Sequence, residues 1–385
     1  MVDATAAPPA LDPTPLRRRP SPYQQWTHSL GLPIHKGYYM PDLRTIEVGR
    51  WAERECNACI LSLVGSEGFA EARVTEIPPG KTMPPLNFAL DEAVYVLDGR
   101  GTTTVWTGSG PKKTFEWQKH SLFMLPHGST HQLTNMQGDR PARLLHYNYL
   151  PLSMSALPDP SFFFNNQHRG TDAMSAMNGD FYSEAQVVKA NIDPKQKVRS
   201  GALWYGNFFP DMRAWDRLNP FWGRGAGGTV VSVQFPGSQM SCHMSVFPAQ
   251  TYKKGHRHGP AYVIVIPAGE GYSMLWQEGQ EDNKVIVPWQ EASVFVPPNR
   301  WFHQHFNVGT APARYLAFHP LPQLMGMGGG EQIQDRSRDQ IEYANEDPMV
   351  RRRFESELDK RGLKSIMPED AYTNPDYEWD YAGAE

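Results

Sequence analysis

Four of the thirteen histidines stand between Gly255 and Asn307, as His256, His258, His303 and His305. Alternate residues of an extended strand share a face, so His256 and His258 point one way while Arg257 points the other. The gap before His303 is long enough for two strands and a hairpin, which lets His303 approach the same point from a second strand. Three neutral imidazoles converging there would bind Fe(II), or alternatively Mn(II), Zn(II) or Ni(II), and leave coordination positions open for a substrate and O2. His305 shares the face of His303. A fourth ligand would close the site, so His305 is read as a catalytic group facing substrate. His243, in Ser241-Cys242-His243-Met244-Ser245, enters the same pocket from a neighbouring strand as a substrate contact.

The elements that must carry these residues are short. Apolar runs such as Ala93–Leu97 and Ser121–Leu125 are set off by Asp98-Gly99-Arg100-Gly101 and Pro126-His127-Gly128, a texture of antiparallel strands closed into a sandwich or barrel. The same texture resumes at Thr229. A chain of 385 residues with this pattern reads as a disordered arm (1–22), a first barrel (23–151), a connecting segment (152–228), a second barrel (229–322) and a Gly-rich joint, helix and tail (323–385). In the tail, Asp347 can cap a helix, Pro348 suits its first position and Gly362 ends it. Val350, Phe354 and Leu358 then form one buried stripe.

Two motifs are set aside. Gly223-Arg224-Gly225-Ala226-Gly227-Gly228 spells GxGxxG, yet strand-like Thr229–Val233 follows where a dinucleotide site needs a helix N-terminus. Cys56-Asn57-Ala58-Cys59 runs into a strand and has no second pair to complete a zinc site, so both cysteines are ordinary. The balance of 37 basic and 41 acidic residues, net −4, gives no electrostatic footprint for nucleic acid or anionic lipid. No apolar run approaches the ~18 residues of a membrane span, and the first residues lack the order of a signal peptide. The expectation is a cytoplasmic protein acting on a small molecule.

Residues 80–135 resemble the two-part signature of the cupin family, G-x5-HxH-x3-E-x6-G followed by G-x5-PxG-x2-H-x3-N. Gly80, Glu92 and Gly99 fit the first part and Pro126, Gly128, His131 and Asn135 the second, while Leu86 and Phe88 replace its two histidines. The same ruler gives His256, His258, Gly269, Pro298, His303 and Asn307, with Tyr262 in place of the glutamate and Arg300 in place of the inner glycine. Leu86 and His131 lie 170 and 172 residues before His256 and His303, a register that argues for duplication independently of any motif. The resemblance implies an all-β bicupin of two jelly-roll barrels with a C-terminal helix. The first barrel is then metal-free, with Glu92 and His131 bonded to each other, and the second is functional.

A triad without a carboxylate is similar to that of the gentisate and salicylate ring-cleaving dioxygenases, whose first motif also reads His-Arg-His. That resemblance implies Fe(II), O2, a hydroxylated aromatic carboxylate and a homo-oligomer. An arginine fork should meet the substrate carboxylate, and Arg300 and Arg314 are the first candidates, with Arg213, Arg217 and Arg224 on the connection. Trp301 and Trp276 could wall the pocket, with Tyr272 and Met274. The alternatives are another metal-dependent cupin enzyme, a decarboxylase, lyase or hydrolase on a small carboxylate, whose base Tyr262, His305 or Glu270 could supply, and a non-catalytic cupin that binds a small ligand.

Overall fold

The computed structural model describes residues 19–66, 68–166, 180–183, 185–189, 202–214, 218–220, 224–322, 336–377 and 379. Most of the arm, Arg217, Gly223 and the Gly-rich joint lie outside them. Among the described residues no helix is long and apolar enough to cross a membrane.

The chain is all-β, built as two barrels, each made of a larger and a smaller sheet. In the first, the larger sheet contains Cys56–Leu63, Glu71–Ile77, Ala142–Asn148, Glu92–Asp98 and Leu122–Leu125, and the smaller contains Leu86–Asn87, Thr130–Asn135, Arg100–Trp106 and Lys113–Gln118. The second repeats this with Thr229–Gln234, Ser241–Phe247, Ala313–Phe318, Val263–Ala268 and Val294–Phe295 against Val285–Trp289, Gly271–Trp276, Phe302–Asn307 and Gly255–His256. Strict alternation decides the faces. Val74, Tyr95, Leu145 and Tyr147 join Val231, Met244, Val263, Leu316 and Phe318 in one core between the two larger sheets. Their even- or odd-numbered neighbours line the barrel interiors. Cys56 and Cys59 are buried free thiols in different cores of one strand, and burial pushes their pKa values up to about 11 and about 12.

Hydrogen bonds repeat along with the strands. Asn135 donates to the carbonyls of Ile77, Pro78 and Arg140, and Asn307 to those of Phe247, Pro248 and Ala311. Trp117 donates to Thr103 as Trp289 does to Ser273. Gly101 and Gly271 lie so close to these tryptophans and to the facing strand that no side chain fits there.

Each larger sheet also takes in a strand from outside its own half. Tyr39–Met40 pairs with Val294–Phe295 of the second barrel, and Phe208–Phe209 pairs with Leu122 and Phe123 of the first. Matching serines anchor the visitors, Ser293 to the carbonyl of Pro41 and Ser121 to that of Pro210.

The C-terminal helix Pro348–Asp359 forms as its caps predict: Asp347 accepts from the Met349 amide, Pro348 opens it, and Gly362 follows with a left-handed φ of 69°. Val350, Phe354 and Leu358 pack on Tyr252, Tyr272, Trp276, Phe302 and Phe306, sealing the outer face of the second barrel's smaller sheet. A shorter helix, Pro22–Ser29, begins inside the end of the stretch read as a disordered arm, because Ser21 and Gln24 make a reciprocal capping box.

Candidate metal centre

His256 and His303 face each other across the pairing of Gly255–His256 with Phe302–Asn307, and their ring centroids are 4.3 Å apart. His258 lies 4.6 Å from His303 and 5.9 Å from His256. One nitrogen from each ring falls within 4.8 Å of the other two, and among the described residues this is the one such group of His, Cys, Asp or Glu.

The far side of each ring fixes its tautomer. Nδ1 of His256 meets the carbonyl of Lys254 at 3.1 Å, that of His258 the carbonyl of Gly259 at 2.9 Å, and that of His303 the carbonyl of Trp301 at 3.2 Å. A carbonyl can only accept, so Nδ1 carries the proton in all three and each Nε2 keeps its lone pair. Burial, aided by neighbouring positive charge, holds all three rings neutral: His258 is pushed down to about 4, and His256 and His303 lie well below the ordinary histidine range. Three neutral Nε2 donors with oriented rings fit a divalent first-row metal.

His305 differs. Its Nδ1 lies 2.8 Å from the Ser273 hydroxyl, which can donate or accept, so this ring has no imposed tautomer. It sits one strand step deeper, 5.5 Å from His303, against Phe295 and Tyr315. Tyr262 occupies the position of the cupin glutamate and packs at 4.1 Å on His258; burial keeps its phenol protonated. His243 and His319 enter from Ser241–Phe247 and from the end of Ala313–Phe318, bonded to each other at 2.7 Å.

Other sequence candidates are not brought to the triad. Trp276 pairs with Phe302 on the outer face of the sheet, stacked on that ring beneath the C-terminal helix, with Tyr272 and Met274 beside it. Arg314 alternates with Tyr315, so it faces away from the interior that Tyr315 lines. Arg300 stands at the rim, where its amide bonds the His258 carbonyl and its guanidinium is held at 2.5 Å by Asp339, which also binds Arg257. Trp301 is half-buried near Tyr38 beside the interior cluster. Glu270 and Arg213 are exposed.

The interior also holds Arg224, one of the arginines named from the sequence, and Lys253, which the sequence did not single out. Arg224 is buried, bonds Gln340 at 2.8 Å, and its charge depresses His256, His258, His303 and His305 alike. Lys253 is wholly buried, with Nζ at 2.5 Å from Ser245 and 3.2 Å from Tyr315. Of the described acidic side chains from 224 to 346, only Asp339 is buried, at the rim. The alternation Tyr315, Ala317, His319 was a signal that could have found His319. Nothing local marks Arg224, which reaches the site from a turn.

The first barrel answers the same positions differently. Leu86 and Phe88 are apolar core, and Glu92 bonds Arg73 at 2.7 Å, His146 at 2.8 Å and Asn148 at 3.0 Å. The expected Glu92–His131 bond does not form, because the Arg73 guanidinium, shared with Glu71 at 3.0 Å, takes the carboxylate first. A buried cation from the protein thus stands against the carboxylate that cupins give to a metal.

No family model matches the chain, and no curated protein matches it. The fold is a duplicated pair of two-sheeted β barrels. Among solved structures it is similar to the oxalate decarboxylase of Bacillus subtilis, in a structure from work on that enzyme's Mn(II) centres: 12% identity, 90% of this chain and 88% of that one covered, TM-score 0.47. The same enzyme at pH 4.6 matches at 12% identity over 74% of this chain and 76% of that one, TM-score 0.45. A four-residue mutant of it matches at 12% over 74% and 78%, TM-score 0.45. The likeness is one of fold.

Proposed function

We propose that the second barrel is the active site of a non-heme Fe(II)-dependent dioxygenase that cleaves a hydroxylated aromatic carboxylate of the gentisate or salicylate kind. One observation carries this reading: three oriented, neutral imidazoles converge with Tyr262, not a carboxylate, in the fourth position. His256, His258 and His303 would hold the metal, which supplies Lewis acidity toward an anionic chelate and one-electron chemistry toward O2. The chain's own groups do the rest. Buried Arg224, bonded to Gln340, would draw the substrate carboxylate by its charge, and of the described acidic side chains from 224 to 346 only Asp339, at the rim, is buried. Tyr262 and Tyr315 would give the ring an aromatic wall, and His305, tied to Ser273, would be the group that exchanges a proton with the substrate.

A second reading is a metal-dependent decarboxylase, lyase or hydrolase acting on a small carboxylate. It is favoured by the number of proton carriers inside the barrel, His243, His305, His319 and Lys253, which non-oxidative acid–base chemistry would use. The test is anaerobic Fe(II) loading, a panel of 2-hydroxybenzoates and 2,5-dihydroxybenzoate, then an oxygen electrode and product mass. Stoichiometric O2 uptake with a ring-opened product supports the dioxygenase. Turnover without O2 uptake supports the second reading.

A further inference from the structure

An all-imidazole metal site lacks something that a site with a carboxylate has, namely a built-in base. A hydroxyl that binds a metal as its anion loses its proton, and among the described residues no carboxylate in the interior stands to take it. The chain offers a pair of imidazoles in its place. Nδ1 of His243 lies 2.7 Å from Nε2 of His319, and Nδ1 of His319 lies 2.9 Å from Oγ of Ser241. Two neutral imidazoles in line carry two protons on four ring nitrogens. One proton sits in the bond between them, so one outer nitrogen is always basic, either toward Ser241 or at the other end. Ser241 can donate or accept and closes the chain in both arrangements.

We infer that His243 and His319, backed by Ser241, act as one proton-accepting unit that takes the hydroxyl proton of an incoming hydroxy-carboxylate; this rests on the functional reading above. In the transfer the substrate O–H bond breaks, its electron pair stays on oxygen, and an N–H bond forms on the pair, which becomes a shared imidazolium. Neither residue adjoins the triad in sequence, and Tyr262 packs on both His258 and His319, at 4.1 and 5.2 Å. Tyr315 packs on His243 at 5.7 Å and Tyr262 on His319 at 5.2 Å, the charges of Lys253 and Arg224 act on His243 through space, and on the first-barrel side the hydroxyls of Tyr147 and Tyr149 both donate to the His319 carbonyl. Among the described residues no acidic group stands with them. Burial and those positive neighbours keep the empty pair neutral, with His319 pushed down to about 3. An arriving anion supplies the countercharge that lets the pair hold a proton. In the first barrel the corresponding places on the paired strands hold Arg73 and Asn148, which cannot accept a proton.

The experiment uses metal-loaded full-length protein under anaerobic conditions, with 2-hydroxybenzoate as probe and benzoate as control. Calorimetry in two buffers of different ionisation enthalpy reads the protons released per ligand bound. Wild type should release close to none with 2-hydroxybenzoate at pH 7. His243→Asn and His319→Asn should release about one and bind roughly tenfold more weakly for each pH unit below neutrality, with unchanged metal content and unchanged benzoate binding. Ser241→Ala, which leaves both rings in place, should fall between them. Variants whose proton count equals that of wild type, or that lose the metal, overturn the inference. Failure of wild type to bind either compound overturns the functional reading and this inference with it.

Discussion

Replacing Arg73 by methionine tests whether the first barrel is held by charge. The side chain is buried and donates to Glu71 at 3.0 and 3.1 Å and to Glu92 at 2.7 Å, while Asn148 bridges the same two carboxylates. Methionine fills much of the space and leaves two buried carboxylates facing each other. Breaking a buried pair in this way costs about 3–5 kcal/mol, which for a unit of this size lowers Tm by roughly 10 °C. The sign with pH follows from Glu92. Burial alone would raise its pKa, but His146 and Arg73 outweigh burial and hold it well below the carboxylate range. Its contribution is therefore present above about pH 4.5 and is lost as the pH falls below that. Once Arg73 is gone the carboxylates protonate more readily. The gap in Tm between wild type and Arg73→Met, read by scanning calorimetry, should be widest near pH 8 and narrow toward pH 5. Adding Glu71→Gln and Glu92→Gln should recover most of the loss, and metal content should not change in any of these variants. A Tm within about 2 °C of wild type, or a gap that widens in acid, would refute the argument.

Purified protein should carry about one transition metal per chain; His256→Ala or His303→Ala should lose it, whereas His131→Ala should retain it, as measured by elemental analysis. Metal-free protein should lose stability as the pH drops from about 6.5 toward 4. His120, His131 and His319 are depressed by burial to about 4, 3 and 3, so the unfolded chain binds protons first, by up to about 1.4 kcal/mol per pH unit for each. Chemical denaturation across that range checks it; flat stability would contradict the burial. Phe354→Ala should cost about 3–5 kcal/mol, because Phe354 is wholly buried against Tyr252 and Phe306. Limited proteolysis should then cut first after residue 346.

The sequence carried the duplicated β architecture and the meeting of His256, His258 and His303 because both depend on local alternation and on a register repeated at 170–172 residues. The C-terminal helix was legible for the same reason, its cap and apolar stripe being written within a few turns. Trp276 was misread because alternation says which residues share a face but not which face is inside; that is decided by the helix that covers the outer one. Arg300 looked free until Asp339 arrived from far along the chain. His319 follows the alternation of Tyr315 and Ala317 and could have been found from it, whereas Lys253 reaches the interior through tertiary placement, and no spacing rule chose Arg224 from among the other arginines.

The reciprocal strand exchange sets limits on how such a chain can change over generations. Tyr39–Met40 cannot find its place until Val294–Phe295 has been synthesised, and the first barrel waits likewise for Phe208–Phe209. Neither half is a module that can be cut out, copied alone or discarded. A half that holds Leu86 and Phe88 in place of histidines therefore still has work to do: it lends Tyr39–Met40 to the sheet of the other half, and its own interior is closed by apolar side chains and the Arg73–Glu92 pair.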